Sequence, residues 1–317
     1  MKFIKDINEG DNVQGVYFCK KKDELRTKTD KPYFSMTLQD KTGTIDAKVW
    51  DIYSGGIGDF EALDFIYISG QVTKFQSALQ LNIGRVRKCE EGEYNVADYM
   101  PTSEKDIEEM YSSLLTFVSS VKNEHLRAIA ESFFIKDEAF IKEFKNHSAA
   151  KSVHHGFIGG LLEHTLSVVT AADFYAKHYP VLNRDLLITA AALHDAGKVT
   201  ELTAFPENDY SDEGQLLGHI YVGAEMIGEK CRELGNVPAK LERELKHCIL
   251  AHHGKLEFGS PKKPALMEAL ALSYIDDMDA KMETFKEALE APAGENGWLG
   301  FNRLLDSNIR KVSGTDE

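Results

Sequence analysis

Histidine and aspartate recur along the C-terminal two thirds of this sequence at positions where an ordinary soluble helix rarely places them. His164 stands in Gly160-Leu161-Leu162-Glu163-His164-Thr165, and His194-Asp195 closes an apolar run that begins at Leu186. His219 follows Leu217-Gly218, His252 and His253 precede Gly254, and Asp276 ends Ser273-Tyr274-Ile275-Asp276. Asp195 is the most telling, because a carboxylate set against two apolar turns is costly to bury without a partner. Any one of these residues alone reads as a satisfied core histidine or a chance dipeptide. The ordered series, each member against an apolar helix, reads as a set of metal ligands. Imidazoles and carboxylates from several helices, with no cysteine among them, suit Mn²⁺ first and Fe²⁺, Co²⁺ or Ni²⁺ as alternatives.

Helices must position such a set, and the pattern supplies them. From Ser103 onward apolar residues return about every 3.6 positions, with Ile107, Met110, Leu114, Phe117 and Val121 on one face. The stretch before it, 90–103, is polar, contains Pro101 and ends in a helix-capping signal, so it reads as a linker. Residues 1–89 follow a period of two instead. Val13–Phe18, Tyr33–Leu38, Ile45–Trp50, Phe65–Phe75 and Leu79–Val86 are five short β-rich runs, with a turn at Asp40-Lys41-Thr42-Gly43. Gly15, Gly70 and Gly84 lie inside strands where bulges or sharp bends belong. The expected fold is multidomain: a five-stranded Greek-key β-barrel over 1–89, the linker, and an all-α region over 104–317.

Charge separates the same two regions. The whole chain of 317 residues carries −14, yet residues 1–89 hold 14 basic and 12 acidic side chains, which leaves −16 for the rest. A polyanion would therefore meet the barrel first, and the acidic region would need cations to approach phosphate at all. Tyr17, Tyr33, Phe34, Trp50, Tyr53 and Phe75 are aromatic residues of the barrel able to stack bases. Strand alternation puts Phe34, Met36 and Leu38 on one face and Tyr33, Ser35 and Thr37 on the other, which favours Tyr33 for stacking and Phe34 for the core. Tyr33, Trp50 and Phe75, with Lys48, Lys74 and Arg85 for the phosphates, are the expected nucleic-acid contacts. Cys19, Cys89, Cys231 and Cys248 are scattered with no Cys-x-x-Cys pair, so they read as reduced thiols. The first residues lack an apolar signal core, and no apolar run approaches the roughly 20 residues of a membrane span. A cytoplasmic protein with no membrane partner is expected.

The order H…HD…H…HH…D over residues of about 145–290 resembles the HD-domain phosphohydrolase superfamily, including its seven-ligand, two-metal branch. That resemblance implies one divalent ion on His164, His194, Asp195 and Asp276, and a second on Asp195, His219, His252 and His253. A bridging role for Asp195 is physically reasonable too, since the two oxygens of a carboxylate can serve cations about 3.5 to 4 Å apart. The pattern Val13-x-Gly15-Val16, Phe34-x-Met36-x-Leu38-x-Asp40-x-x-Gly43-x-Ile45, Trp50, Ile68-x-Gly70-x-Val72 resembles an OB-fold of the nucleic-acid-binding kind. An OB-fold followed by an HD domain, with Lys151-Ser152-Val153-His154-His155-Gly156-Phe157-Ile158-Gly159-Gly160-Leu161 before the first ligand, resembles the YhaM family of 3′-to-5′ exoribonucleases. The branch that hydrolyses cyclic di-GMP is disfavoured, because Gly254-Lys255-Leu256 stands where its Gly-Tyr-Pro would follow His252-His253.

The family implies a metal-dependent phosphodiesterase that trims single-stranded RNA, with single-stranded DNA as a second polymer, from the 3′ end to 5′-mononucleotides. Asp195 is the central catalytic candidate. Lys198, four residues after His194, is placed to donate to a phosphate oxygen, against the alternative of a surface lysine at a helix end. His154 and His155, ten and nine residues before His164, are candidates to bind a phosphate or protonate the leaving 3′-oxygen, against simple loop packing. Two other functions compete. A nucleotidase or cyclic-nucleotide phosphodiesterase would use the same ions on small substrates but gain little from a basic, aromatic barrel. A non-catalytic RNA-binding adaptor would be expected to have lost ligands, and none is missing. A homo-oligomer is compatible with all three.

Overall fold

The computed structural model describes residues 2–76, 78–150, 156–290 and 295–312. The chain divides into two compact units, Met1–Thr102 and Ser103–Glu317.

The first unit is a closed barrel of β1 (Asn12–Arg26), β2 (Pro32–Asp40), β3 (Gly43–Val49), β4 (Phe65–Phe75) and β5 (Ala78–Lys88). Its strand order is β1-β2-β3-β5-β4, with β4 returning to β1, and only the β3–β5 pair is parallel. This is the five-stranded OB architecture expected from the alternation. Inward-facing Val13, Tyr17, Met36, Leu38, Ile45, Val49, Ile66, Ile68, Val72 and Leu81 fill it. Each such side chain contributes roughly 1.5–3 kcal/mol by leaving water.

Several local expectations need correction. β1 runs on through the charged residues 20–26, because its far half pairs with β2 alone and has no core to fill. The irregularity in β1 falls at Cys19/Lys21, whereas Gly15 pairs in register with Ile68. The expected bulge does occur between β4 and β5, where Ser69 pairs with Arg85 and Gly70 with Ile83, leaving Gly84 over. The stretch read as a linker packs in part on the barrel: Tyr94 stacks on Phe65 with centroids 3.8 Å apart, and Met100 is buried.

The second unit is helical over α1 (Ile107–Ser119), α2 (Glu124–Phe134), α3 (Glu138–Asn146), α4 (Gly160–His178), α5 (Arg184–Leu193), α6 (Lys198–Glu201), α7 (Asp212–Leu234), α8 (Ala239–Leu250) and α9 (Met267–Leu289). Asp106, Asn123, Asp137, Asn183 and Ser211 cap helix N-termini by accepting from backbone N–H groups one turn in. Helix does not continue to the end. β6 (Trp298–Asn302) and β7 (Ser307–Arg310) form an antiparallel pair beyond Gly297, in a stretch whose glycines and asparagines favour turns. The core lies between α4, α5, α8 and α9, where Leu161, Val168, Leu187, Leu193, Ile249, Leu272 and Ile275 meet. Among the described residues no helix is long and apolar enough to cross a membrane.

Candidate functional site

Five backbone segments deliver the expected ligands to one place in the helical unit. His164 comes from α4, His194 and Asp195 from the turn that ends α5, His219 from α7, His252 and His253 from the turn after α8, and Asp276 from α9. Two glycines let these segments close. A Cβ on Gly197 would lie 2.2 Å from the carbonyl oxygen of His219, so only glycine allows the His194–Gly197 turn to press onto α7. Gly218, at φ +73°, breaks the regular helix just before His219. That break lets the backbone N–H and Nδ1 of His219 both reach Glu201 Oε1, at 3.0 and 2.9 Å.

The seven residues form two groups that share Asp195. On one side, Asp195 Oδ2 lies 3.5 Å from His164 Nε2 and 3.4 Å from His194 Nε2. His164 Nε2 and Asp276 Oδ1 are 3.1 Å apart, so these atoms face a common point. On the other side, Asp195 Oδ1 lies 3.4 Å from His219 Nε2 and 3.7 Å from His252 Nε2. His253 joins His219 and His252, with one ligand atom of each within 4.8 Å of the others. Atoms bound about 2.1 Å from one ion at adjacent coordination positions are roughly 3.0–3.4 Å apart, close to these spacings.

Each histidine is turned by an oxygen behind it. Nδ1 faces Asp279 Oδ2 in His164 (2.7 Å), the Ala191 carbonyl in His194 (2.8 Å) and Glu201 in His219. It faces the Ile249 carbonyl in His252 (2.6 Å) and the Phe258 carbonyl in His253 (2.8 Å). With Nδ1 donating, the ring is turned so that Nε2 points inward, the orientation that metal-binding histidines use, and a bound cation would take the place of any proton there. Asp195 Oδ1, His219 Nε2 and His252 Nε2 are buried with no hydrogen-bond partner, which a polar interior does not ordinarily tolerate. A cation would satisfy all three atoms at once. The donor set therefore fits divalent ions on both sides of Asp195.

The two sides differ electrostatically. Burial works against charge on His194, but Asp195 and Asp276 outweigh it and hold the ring up at about 10. His164 is raised in the same way, burial being overcome by Asp276 and Asp279. Burial, reinforced by neighbouring rings, instead pushes His252 and His253 down. Asp195 stays ionised despite burial, because Lys198 and the histidines hold it well below the usual carboxylate range. Lys198 begins α6, with Nζ 2.8 Å from Asp195 Oδ2, and Asp195 raises it against the penalty of burial. Thus Lys198 is a half-buried partner of the centre. His154 and His155 lie outside the described residues. Sequence reasoning missed Glu201 and Asp279; the second stands one turn after Asp276, on the same face of α9.

On the barrel, Tyr33 stacks on Trp50 across β2 and β3, with centroids 4.9 Å apart and planes at 27°. Trp50 is exposed and its Nε1 donates to Asn82 Oδ1, while Lys48 donates to Ser35 Oγ beside the stack. Asn82 in turn donates to Thr73 on β4, two residues before exposed Phe75. Tyr33, Lys48 and Trp50 are thus brought together. Lys74 and Arg85 are exposed, but Lys74 alternates away from Phe75, and Arg85 lies beside Gly56. One expectation fails. Tyr17 is fully buried, because Val13, Tyr17 and Cys19 share the inward face of β1. Phe34, as foreseen, packs edge-on against Phe60 at the core.

A family model described as HD domain matches residues 161–281. The 3'-5' exoribonuclease YhaM of Geobacillus sp. (strain WCH70) is 36% identical over 261 residues, covering 82% of this chain and 79% of that protein. The protein of the same name from Bacillus subtilis (strain 168) is 34% identical over 282 residues, covering 89% and 88%. Among solved structures, the second OB-fold domain of replication protein A from Methanococcus maripaludis is 19% identical with a TM-score of 0.24, covering 29% of this chain and 96% of that one.

Proposed function

The chain belongs to the YhaM family of 3′-5′ exoribonucleases, and on that premise we propose that its Asp195-centred cluster holds two divalent ions and hydrolyses the last phosphodiester of single-stranded RNA, releasing 5′-mononucleotides. The observation that carries this reading is the division of labour within one carboxylate, with Asp195 Oδ2 facing His164 and His194 and Oδ1 facing His219 and His252. His164, His194 and Asp276 would complete one site, and His219, His252 and His253 the other. Ions bound there would neutralise the phosphate and make water acidic enough to attack at neutral pH. Mn²⁺ is the first candidate.

The protein's own residues set the rest. Asp279 and Glu201 lock His164 and His219 in the tautomer that faces inward. Lys198 neutralises part of the charge on Asp195 and stands beside the cavity that also reaches His164, His253 and Asp276, within reach of a phosphate oxygen. The Tyr33–Trp50 stack offers a ring surface for bases, and Lys48 a charge for the backbone. A barrel with these groups favours a polymer over a free nucleotide. Duplex should halt the enzyme, since unpairing each step costs a few kcal/mol that binding alone must supply.

The test is a 5′-labelled hairpin with a single-stranded 3′ tail, in Mn²⁺ and then in EDTA. Stepwise shortening that stops near the stem and disappears with EDTA is expected. Internal fragments before any shortening, or cleavage of a circular RNA, would overturn the reading. The same tail in DNA reports whether the sugar is discriminated.

A further inference from the structure

No step of the hydrolysis uses the segment that follows His253. Residues 254–263 carry Lys255, Lys262 and Lys263 against the single acid Glu257, in the part of the chain that is otherwise strongly acidic. Phe258 is 56% exposed on this segment. It lines a cavity of about 380 Å³ whose other walls include His164, Asp195, Lys198, His253 and Asp276. An apolar ring beside five charged or metal-binding side chains gains nothing from them as packing, and its exposure forgoes the stabilisation that burial would give.

The ring is held in place. Lys255 keeps its ammonium 4.9 Å from the ring centroid, and the Phe258 and Ser260 N–H groups both donate to the Lys255 carbonyl, at 3.2 and 3.3 Å. The Phe258 carbonyl, in turn, accepts from His253 Nδ1 at 2.8 Å. One residue therefore offers its side chain to the cavity and its backbone to a ligand of the centre. A ligand using both the ring and the cluster must join a flat apolar group to an anion through a short spacer, which is the chemistry of a nucleotide. The cavity lies at the small end of ligand pockets, roughly 300–1,000 Å³, and suits one nucleotide at a time.

We propose that Phe258 is the stacking surface for the base of the 3′-terminal nucleotide, and that Lys255 contacts the backbone beside it. This rests on the exonuclease reading of the same site and adds which residue grips the end being removed. Because the ring acts through the base, its contribution is lost on any substrate that has no base there.

The experiment compares wild type, Phe258→Ala and Phe258→Trp on 5′-labelled oligoadenylates ending in adenosine or in an abasic ribose. Bound Mn²⁺ is measured beside them. Phe258→Ala should lower kcat/KM on the adenosine end by about five- to 150-fold, the range for loss of one stacked base. Wild type should lose a similar factor on the abasic end, with no further loss in Phe258→Ala. Phe258→Trp should restore most of the activity, and Mn²⁺ content should hold. The proposal is overturned if Phe258→Ala matches wild type on the adenosine end, or if the two losses multiply. It is equally overturned if hydrolysis of the abasic end or Mn²⁺ binding falls in Phe258→Ala in step with hydrolysis of the adenosine end, which would make the side chain a support of the centre. Wild type that binds no Mn²⁺ and hydrolyses neither substrate would remove the metal-centre reading itself, and this proposal with it.

Discussion

The outer face of the barrel and the histidine–aspartate centre are both proposed to meet a nucleic acid through polar and aromatic groups, but they hold them differently. On the barrel, Trp50 is exposed, leans on Tyr33 and donates to Asn82, and each neighbour has water as an alternative. In the centre, His194, Asp195 and His252 are buried, and each histidine is fixed from behind by an acceptor. A face of the first kind tolerates loss of one member. A cluster of the second kind does not, because removing one group leaves its partners buried without compensation.

The largest separation between the two regions should come from Asp195→Asn. An amide cannot offer two anionic oxygens, so hydrolysis of labelled RNA should fall by at least about 10²–10³-fold, the effect of one preorganised electrostatic group. RNA affinity, measured by anisotropy with Mn²⁺ present, should stay within about twofold, since the barrel is untouched. A matching loss of affinity would mean that the centre, and not the barrel, holds the strand.

A smaller effect should come from behind the ligands. Glu201→Ala and Asp279→Ala remove the acceptors that orient His219 and His164, and such partners are worth roughly 10–100-fold in metal affinity or activity. The Mn²⁺ concentration that gives half-maximal activity should rise, and saturating Mn²⁺ should recover much of the rate. A fall in rate that excess Mn²⁺ leaves unchanged would show a role other than orientation.

These orienting residues also mark where sequence reading stopped. The candidate ligands that the fold gathers stood out because metal chemistry would force their types and helices their spacing: His164, His194-Asp195, His219, His252-His253 and Asp276 stand in an order few other constraints produce. The barrel was legible from its period-two runs. Glu201 and Asp279 were not, since a glutamate at a helix end and an aspartate in an Asp-Asp-Met-Asp run resemble any solvated carboxylate until the fold turns them toward a ring. Tyr17 misled for a related reason. A tyrosine in a β-run fits either face, and only the parity it shares with Val13 and Cys19 assigns it to the core. The C-terminal β6–β7 pair escaped because four- and five-residue strands around turns carry too little periodicity.

On the barrel, Trp50→Ala should weaken binding of single-stranded RNA by about 1 kcal/mol, or fivefold, the lower end for a stacked base, because Tyr33 remains beside it. Hydrolysis of bis(p-nitrophenyl) phosphate should not change. Loss of both activities together would show that the barrel face supports the helical unit's chemistry directly.

The smallest expected effect concerns acid. Asp173 is buried on α4, 2.6 Å from Lys177 Nζ and 2.7 Å from Arg184. Burial raises its pKa, but the two ion pairs outweigh that and leave it below its ordinary value of 3.8. A carboxyl depressed on folding contributes stability that is complete above its unfolded value and disappears as pH falls through its folded value. Asp173→Asn should therefore lower the helical unit's stability at pH 7 by about 0.5 kcal/mol, the middle of the range for an ion pair close to the surface. The gap between variant and wild type should close as the solution is taken well below pH 3.8, where the wild-type carboxyl is also neutral. The barrel unit's two-pronged ion pair, Arg87 with Glu93, is exposed, and Glu93→Gln should change little at either pH. Urea unfolding followed at 222 nm, which reports mainly helix, measures the Asp173 difference, and tryptophan fluorescence in a Trp298→Phe background reports the barrel through Trp50. An acid-dependent gap for Glu93→Gln as large as that for Asp173→Asn would erase the distinction between a buried, twice-paired carboxylate and an exposed one.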